Sequence, residues 1–236
     1  MRRQEVTSEE EQGERRRRAG ERAATFVEDG MAVGLGTGRT ADCATRALAE
    51  RVAVGLQIVG VPTSHRTALL AASLGITVGS LEDHPHLDIA IDGADEVDPQ
   101  LRLIKGLGGA LLREKIVAEA SARFVVVVDD AKLVLQLGGT APVPVEVLPF
   151  GWPMAAERLR ALGAEVDLRG SAEAPYVTDN THYLLDCRFG LIADPERLER
   201  DLHSIPGVLD TGLFISMTDM VIVGTADGIE EQQASS

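Results

Sequence analysis

The sequence predicts an α/β fold built on a mostly parallel sheet, with a smaller α+β unit inserted into it. Strand-like and helix-like patterns alternate from residue 31 to residue 128, which is the arrangement that right-handed βαβ units produce. Aromatic residues make up only 3% of the 236 residues, so the core must be aliphatic, which suits a buried parallel sheet. The alternation changes near Pro142, where a different order of elements begins.

In the first part of the chain, short apolar runs predict strands and the longer stretches between them predict helices. Asp29-Gly30 ends the first helix and Gly75 ends the third, because both are strong helix-terminating signals. Residues 1–18 are predicted to be a solvated, charged arm that runs into the first helix. The predicted helices cover residues 19–27, 40–51, 64–74 and 109–122. The predicted strands cover residues 31–35, 56–61, 76–78, 87–91, 101–104 and 124–128.

The second part of the chain begins with a proline-rich segment that does not suit a central strand, because proline lacks an N–H. Its predicted elements are strand 143–147, helix 152–162, strands 165–168 and 182–187, helix 195–203 and strand 207–213. This βαββαβ order is typical of a ferredoxin-like unit. Residues 221–223 predict a buried strand that returns to the first sheet, and a polar tail follows from residue 227. The predicted domains are residues 1–138 with 216–236, and residues 139–215.

The charge and the composition exclude several classes of partner. The chain has 23 basic and 37 acidic residues, and its net charge of −14 does not suit a nucleic acid or an anionic membrane. No apolar run reaches the ~18 residues that span a membrane. The N-terminus is charged, unlike a signal peptide. Cys43 and Cys187 are too few for a disulfide framework or a four-ligand zinc site. The sequence therefore predicts a cytoplasmic protein that binds neither nucleic acid nor a membrane.

A glycine-rich loop lies between the first predicted strand and the helix over residues 40–51. Gly36 and Gly38 let the backbone approach an anion closely, and the helix N-terminus supplies N–H donors. Thr37, Arg39 and Thr40 add hydroxyl and guanidinium donors. The loop matches neither the dinucleotide fingerprint nor the P-loop, so a phosphate monoester is the ligand that fits best. The alternative is a tight strand–helix turn that binds nothing.

A second hydroxyl-rich segment begins the helix predicted over residues 64–74. Thr63 and Ser64 are natural N-caps, and Thr67 follows within one turn. In a parallel sheet this segment and the glycine-rich loop both follow the carboxyl ends of neighbouring strands, where ligands bind. The two segments together favour a polar, anionic ligand. The alternative is that the second segment only caps its helix.

Acidic residues follow the strand predicted over residues 87–91. Asp92 and Asp95 flank a Gly-Ala turn, and crowding of carboxylates raises the pKa of one of them. We therefore expect this turn to supply acid–base groups or metal ligands. The alternative is an acidic turn without chemistry.

A lysine and a glycine-rich bend lead into the helix predicted over residues 109–122. Gly106, Gly108 and Gly109 let substrate oxygens reach backbone N–H groups, and Lys105 can neutralise an oxyanion. Glu114 has three apolar neighbours on this helix, which would desolvate it and raise its pKa towards that of a useful base. The helix N-terminus acts in the opposite direction. The alternative is an exposed glutamate that pairs within its helix.

The sequence indicates neither a metal site nor a nucleophile. The five histidines are dispersed, apart from His84 and His86, which are predicted to lie in a surface turn. The chain contains no Gly-x-Ser-x-Gly elbow, and neither cysteine has an activating neighbour. Nucleophilic catalysis is therefore not expected.

The motifs also match a known family in their order along the chain. They are Gly-Thr-Gly-Arg-Thr at residues 36–40, Thr-Ser-His-Arg-Thr at residues 63–67, Asp-Gly-Ala-Asp-Glu-Val-Asp at residues 92–98, and the run over residues 105–115. Further matches lie at residues 143–147, 205–208 and 223–228. Together they closely resemble ribose-5-phosphate isomerase of type A. The resemblance extends from about residue 19 to residue 229, which makes the combination specific although each motif alone is weak.

The resemblance implies a Rossmann-like α/β domain with a ferredoxin-like lid, a homodimer or homotetramer, and no metal or other cofactor. It implies interconversion of D-ribose 5-phosphate and D-ribulose 5-phosphate through an enediolate. By this likeness Glu114 would move the proton between C1 and C2. Asp92 and Asp95 would handle ring opening and the hydroxyl protons, and Lys105 would stabilise the oxyanion.

The same resemblance implies where the sugar phosphate binds. Residues 36–40 and 63–67 would hold the phosphate or the sugar. Lys132 matches a lysine of the family that contacts the phosphate. Arg17 or Arg18 would take the place of a lysine that the family has near its N-terminus.

Two residues depart from the family pattern. Arg39 stands where the family usually has serine, and Leu107 stands where it usually has glycine. Both lie in loops that should touch the substrate, so they put affinity and substrate choice in doubt. Three alternatives follow: an isomerase with altered pentose-phosphate specificity, a sugar-phosphate sensor without turnover, and a CoA-transferase-like enzyme in which Glu114 forms a thioester.

Overall fold

The computed structural model describes residues 8–234, which form helices and strands in alternation. The α-helices in this range are α1 (Glu9–Ala24), α2 (Arg39–Ala53), α3 (His65–Ser73), α4 (Leu111–Glu119), α5 (Trp152–Ala161) and α6 (Pro195–His203). The strands in this range are β1 (Ala32–Leu35), β2 (Val59–Pro62), β3 (Thr77–Val78), β4 (Ile89–Asp92), β5 (Glu96–Val97), β6 (Leu103–Ile104), β7 (Phe124–Asp129), β8 (Val143–Val147), β9 (Glu165–Leu168), β10 (Tyr183–Arg188), β11 (Val208–Thr211), β12 (Leu213–Phe214), β13 (Met220–Gly224) and β14 (Ile229–Gln233). No helix between residues 8 and 234 is long and apolar enough to cross a membrane.

A seven-stranded sheet confirms the predicted α/β class. Its strand order is β14-β13-β7-β4-β1-β2-β3, and every neighbouring pair is parallel except β13 with β14. On β7, Val125 and Val127 join one apolar cluster, whereas Val126 and Val128 join another, because side chains alternate along a strand. The sheet is thus packed on both faces, so a ligand has access to the loops at its carboxyl edge.

A four-stranded antiparallel sheet forms the predicted ferredoxin-like unit. Its strand order is β11-β8-β10-β9, and α5 and α6 complete the βαββαβ succession. The unit has an apolar cluster of its own, which includes Val145, Leu159 and Leu185. The chain enters it after β7 and leaves it before β13, which returns to the main sheet beside β7 as expected. The domain boundaries at residues 138/139 and 215/216 stay a prediction.

The proline-rich strand β8 is a central strand, contrary to the sequence expectation. It pairs with β10 on one side and with β11 on the other. The last residue of β8 that pairs with β11 in the direction of Pro144 is Val145. Beyond that pair, the Pro144 carbonyl accepts a hydrogen bond from the Gly212 N–H at 2.7 Å. Because the pairing with β11 ends at Val145, no residue of β11 needs a hydrogen bond from the N–H that Pro144 lacks.

Other differences concern short or polar elements. The predicted polar tail contains β14, an exposed edge strand held by its pairing with β13, so no apolar pattern marked it. The predicted strand over residues 207–213 is divided into β11 and β12. The strands β5, β6 and β12 form a third sheet. Each of them has only two residues, which is too short for a periodic apolar pattern to appear in the sequence.

The first helix begins well before the predicted residue 19. The Ser8 hydroxyl accepts a hydrogen bond from the Glu11 N–H, and the Glu11 carboxylate accepts one from the Ser8 N–H. This capping box starts the helix at Glu9. Residues 9–18 therefore belong to the helix, and the prediction of a solvated segment is wrong for Arg16, which is buried, whereas residues 9–11 and Arg17 are exposed. Residues 1–7 of that prediction lie outside the described residues.

Candidate active site

Three buried ionisable side chains meet beyond the carboxyl edge of the main sheet. Asp92 ends β4, Lys105 directly follows β6, and Glu114 lies in the first turn of α4. The Lys105 Nζ atom lies 3.0 Å from Asp92 Oδ2 and 3.3 Å from Glu114 Oε2. Each residue is at most 3% exposed. One ammonium group is therefore shared by two buried carboxylates.

Backbone groups hold this cluster in place. Asp92 Oδ1 accepts hydrogen bonds from the Thr37 N–H at 3.1 Å and from the Gly93 N–H at 2.7 Å. The Lys105 ammonium also donates to the Gly93 carbonyl. A Cβ on Gly36 would lie 2.1 Å from Asp92 Oδ1, so only glycine fits beside this carboxylate. The first glycine-rich loop thus positions the acidic turn directly.

Burial and mutual charge shift the pKa values of the three groups. Burial is the largest cause and raises the pKa of Glu114, Lys105 opposes this effect, and the nearby Asp92 adds to it, so that the resulting pKa is about 8. Burial also raises the pKa of Asp92 against the effect of Lys105. For Lys105, burial alone would lower the pKa, but Asp92 and Glu114 more than offset it and the pKa rises. Lys105 therefore stays charged at neutral pH, while Glu114 can exchange a proton.

Asp95 lies on the loop side of the cluster and is half-buried. Its Oδ2 atom accepts a hydrogen bond from the Leu107 N–H at 3.0 Å. Gly106 and Gly109 have φ values of +100° and +83°, which a residue with a side chain adopts only with strain. The glycines therefore allow the bend that brings this loop against Asp95.

The cluster opens into a small cleft of about 110 Å³. Most of the predicted site residues line it, together with Arg16. The wall consists of Arg16, Thr37, Gly38, Arg39, Thr40, Gly93, Ala94, Asp95, Lys105, Gly106, Gly108, Glu114 and Lys132. Four cationic side chains, those of Arg16, Arg39, Lys105 and Lys132, thus border a cleft in a chain of net charge −14. This arrangement suits an anionic ligand.

The N-terminus of α2 opens on this cleft. Its N-cap residue, Gly38, has no side chain to satisfy the first N–H groups of the helix. Such free N–H groups are the donors that bind a phosphate. Gly38 also has a φ of +132°, so the glycine is required by the backbone.

The hydroxyl-rich segment lies behind the cleft and supports it. Thr63, Ser64 and Thr67 are buried, and none of them lines the wall. Thr37 Oγ1 lies 2.7 Å from both Thr63 Oγ1 and Ser64 Oγ, and 3.0 Å from Thr67 Oγ1. Ser64 is also the N-cap of α3, as the sequence suggested. The structure thus places this segment where it orients Thr37.

Comparison with known proteins identifies the family. The family model for ribose 5-phosphate isomerase A (phosphoriboisomerase A) matches residues 59–228. The ribose-5-phosphate isomerase A of Roseiflexus castenholzii is 55% identical over 219 residues, which cover 92% of this chain and 94% of that protein. This chain belongs to the ribose-5-phosphate isomerase A family.

Solved structures of ribose-5-phosphate isomerases have the same fold. The Plasmodium falciparum enzyme matches with a TM-score of 0.91 and 34% identity, covering 95% of this chain and all of that one. A D-ribose-5-phosphate isomerase in complex with phospho-erythronic acid matches with a TM-score of 0.90 and 42% identity, covering 93% of this chain and 98% of that one. The predicted resemblance and the fold class are therefore confirmed.

The arginine of α1 that lines the cleft of this family member is neither of the two that the sequence predicted. Arg17 and Arg18 form ion pairs with Glu14 on the surface of α1, and neither lines the cleft. Arg16 lines it instead, and its Nε atom donates to Asp129 Oδ2 at 2.8 Å. Helical periodicity could have identified it, because Arg16 shares a face with the buried Ala19 and Ala23, at i+3 and i+7.

The two departures from the family pattern have different consequences. Leu107 has a negative φ and is 43% exposed, so it neither strains the loop nor narrows the cleft. Arg39 does line the cleft, but its side chain is 71% exposed and lies 3.7 Å from Glu9. Arg39 therefore adds positive charge at the mouth without filling the site.

Proposed function

We propose that this protein interconverts D-ribose 5-phosphate and D-ribulose 5-phosphate through an enediolate. The observation that carries the proposal is the buried cluster of Glu114, Lys105 and Asp92 beside a cationic cleft, in a chain of this family. The related isomerase whose structure contains phospho-erythronic acid supports it. Such a molecule combines a phosphate with a carboxylate, the two kinds of charge that the cationic cleft and Lys105 suit.

Glu114 is the proposed base. A C–H group next to a carbonyl is a weak acid, so its removal needs a carboxylate more basic than usual. Burial raises the pKa of Glu114 to about 8, which places its proton exchange near neutral pH. The same carboxyl group can take the proton from one carbon and return it to the next. Lys105, 3.3 Å away, would stabilise the oxyanion that forms meanwhile.

The two aspartates divide the remaining work in this proposal. Asp95 lines the cleft, so it is the one that can exchange protons with the ring oxygen and the hydroxyl groups. Asp92 does not line it, and its oxygens face the Thr37 and Gly93 N–H groups and the Lys105 ammonium. Asp92 therefore orients Lys105 rather than meeting the sugar directly.

The phosphate would lie against the N-terminus of α2. The N–H groups of residues 38–40 and the Thr40 hydroxyl supply hydrogen-bond donors there, whereas the Thr37 N–H already donates to Asp92. Arg16, Arg39 and Lys132 supply positive charge on the same cleft. Binding of the phosphate away from the reacting carbons would fix the sugar in register with Glu114.

We also propose that the protein is a cytoplasmic homodimer or homotetramer. Cys43 and Cys187 are both free thiols, which fits a reducing compartment. The side chain of Phe150 is 96% exposed on the ferredoxin-like unit, as suits a surface that another copy covers. Light scattering of the purified protein measures the subunit number.

The decisive experiment is to mix the purified protein with ribose 5-phosphate and to follow ketopentose formation. Glu114→Gln should bind the sugar phosphate but lose most of the turnover, about a hundredfold or more. Glu119→Gln is the matched control, because Glu119 lies on the same helix and is exposed. Arabinose 5-phosphate, run in parallel, tests the choice of substrate. Tight binding without turnover in the folded wild type would indicate a sensor and reject the isomerase.

A further inference from the structure

The connection between β9 and β10, residues 169–182, leaves the ferredoxin-like unit and contacts the loop after Lys105. Arg169 makes the first of these contacts. Its Nη1 atom donates to the carbonyl oxygens of Gly106 at 3.1 Å and Leu107 at 3.2 Å. Its Nε and Nη2 atoms donate to the two carboxylate oxygens of Asp186 on β10. The planar guanidinium therefore links β10 of the four-stranded sheet to the loop over residues 105–109.

A second contact of the 169–182 connection lies at the end of the same loop. A Cβ on Gly109 would lie 2.2 Å from the Tyr176 hydroxyl oxygen, so the tyrosine abuts the glycine directly. The Tyr176 N–H donates to the Arg169 carbonyl at 2.8 Å, which keeps the two side chains adjacent. Further along the connection, Asn180 Oδ1 accepts from Arg113 at 2.7 Å, next to Glu114 in α4.

The loop needs such support because its own sequence leaves it free to move. Three of the five residues over 105–109 are glycine, the residue that has most conformational freedom to lose. On the cleft side, the Leu107 N–H donates to Asp95. On the opposite side, the Gly106 and Leu107 carbonyls accept from Arg169. The peptide unit between Gly106 and Leu107 thus joins Arg169 to Asp95, because its carbonyl accepts from Arg169 and its N–H donates to Asp95.

We propose that Arg169 is a positioning residue for the isomerisation. It holds the 105–109 loop so that Lys105 and Asp95 keep the separation that the reaction requires, and it does so without touching the substrate. This inference rests on the proposed function for its kinetic consequence. Its structural consequence, the order of the loop, does not depend on that function.

The test compares Arg169→Met with Arg188→Met, a control on the exposed face of β10. We expect Arg169→Met to lower kcat at least about tenfold with KM for ribose 5-phosphate changed less than about threefold, because the phosphate donors lie elsewhere while the reacting groups shift. Arg169→Lys keeps the charge but not the planar fork, so it should restore only part of kcat. An unchanged kcat in folded Arg169→Met would overturn the proposal.

Amide hydrogen exchange provides a readout that needs no activity. Exchange over residues 106–109 should rise about tenfold in Arg169→Met and stay unchanged in Arg188→Met, since local opening sets the exchange rate. If the wild type does not convert ribose 5-phosphate, the proposed function fails while the exchange result still decides whether Arg169 holds the loop. If Arg169→Met does not fold, Asp186→Asn replaces it, because it removes the anchor of the guanidinium. Unchanged exchange in that variant would also refute the inference.

Discussion

The substitution Glu114→Gln tests the buried cluster through stability as well as through turnover. Glutamine has almost the same shape as glutamate but cannot ionise. Burial raises the pKa of Glu114 from 4.5 to about 8 in the folded protein. Between these two values the unfolded chain has lost its proton while the folded protein keeps it, so the stability of the wild type falls as the pH rises.

The size of the effect follows from the two pKa values. Each pH unit between them lowers the free energy of unfolding by about 1.4 kcal/mol, and ionisation of Glu114 costs about 5 kcal/mol in total. Glu114→Gln removes this dependence. Between about pH 5.5 and about pH 7.5, the variant should therefore gain about 2–3 kcal/mol relative to the wild type. The gain is largest above about pH 8, where Glu114 is ionised in both states.

Urea unfolding at fixed protein concentration measures the difference at each pH. Glu119→Gln removes an exposed carboxylate from the same helix and should show no such trend. In the wild type, kcat/KM should rise with pH, be half-maximal near pH 8 and level off above it, because only the ionised form of the proposed base, Glu114, can accept the proton. A stability difference between Glu114→Gln and the wild type that stays constant over this pH range would refute the assignment of a raised pKa.

Three further predictions concern the parts that support the site. Gly36→Ala should lower stability by about 1–3 kcal/mol in urea unfolding and reduce turnover, because its Cβ would lie 2.1 Å from Asp92 Oδ1; a wild-type unfolding curve would contradict this. Arg16→Met should raise KM for ribose 5-phosphate about tenfold, whereas Arg17→Met should not, since only Arg16 lines the cleft; equal KM values would reject the cleft role. Thr181→Gly should raise stability by about 1 kcal/mol in thermal melts, because Thr181 has a φ of +65°; a lower melting temperature would count against backbone strain.

The sequence predicted the larger elements of the fold because their signals are local. The apolar runs of β4 and β7 and the cap of α3 each lie within a few residues. β14 could not be found in this way, since its residues are polar and its stability comes from backbone pairing with β13. The position of β8 also depends on partners far along the chain, so the prolines alone were misleading.

The sequence predicted those residues of the candidate site whose type and position in a loop or at a helix start indicate a chemical role. Asp92 ends a strand of the parallel sheet, Asp95 lies in the turn after it, and Glu114 begins a helix, and the carboxyl edge of such a sheet is where ligands bind. Lys105 follows β6, which belongs to the small antiparallel sheet. The sequence could not predict how far each side chain lies from the cleft. The sequence does not say that Asp92 lies behind Lys105 while Asp95 lines the cleft, because that depends on the packing of the Gly36 loop against the acidic turn.

The charge balance of the cluster explains why a lysine is buried between two carboxylates. With Glu114 ionised, the three groups carry a net charge of −1, which burial disfavours, so Glu114 binds a proton readily. In the proposed mechanism Glu114 takes a proton from the sugar, the negative charge moves to a substrate oxygen next to Lys105, and the net charge of the buried region is unchanged. Under this proposal the protein does not create a charge in the cleft during the reaction. It only moves one from a carboxylate to an oxyanion within reach of the same ammonium group, which lowers the barrier without reorganisation of the surroundings.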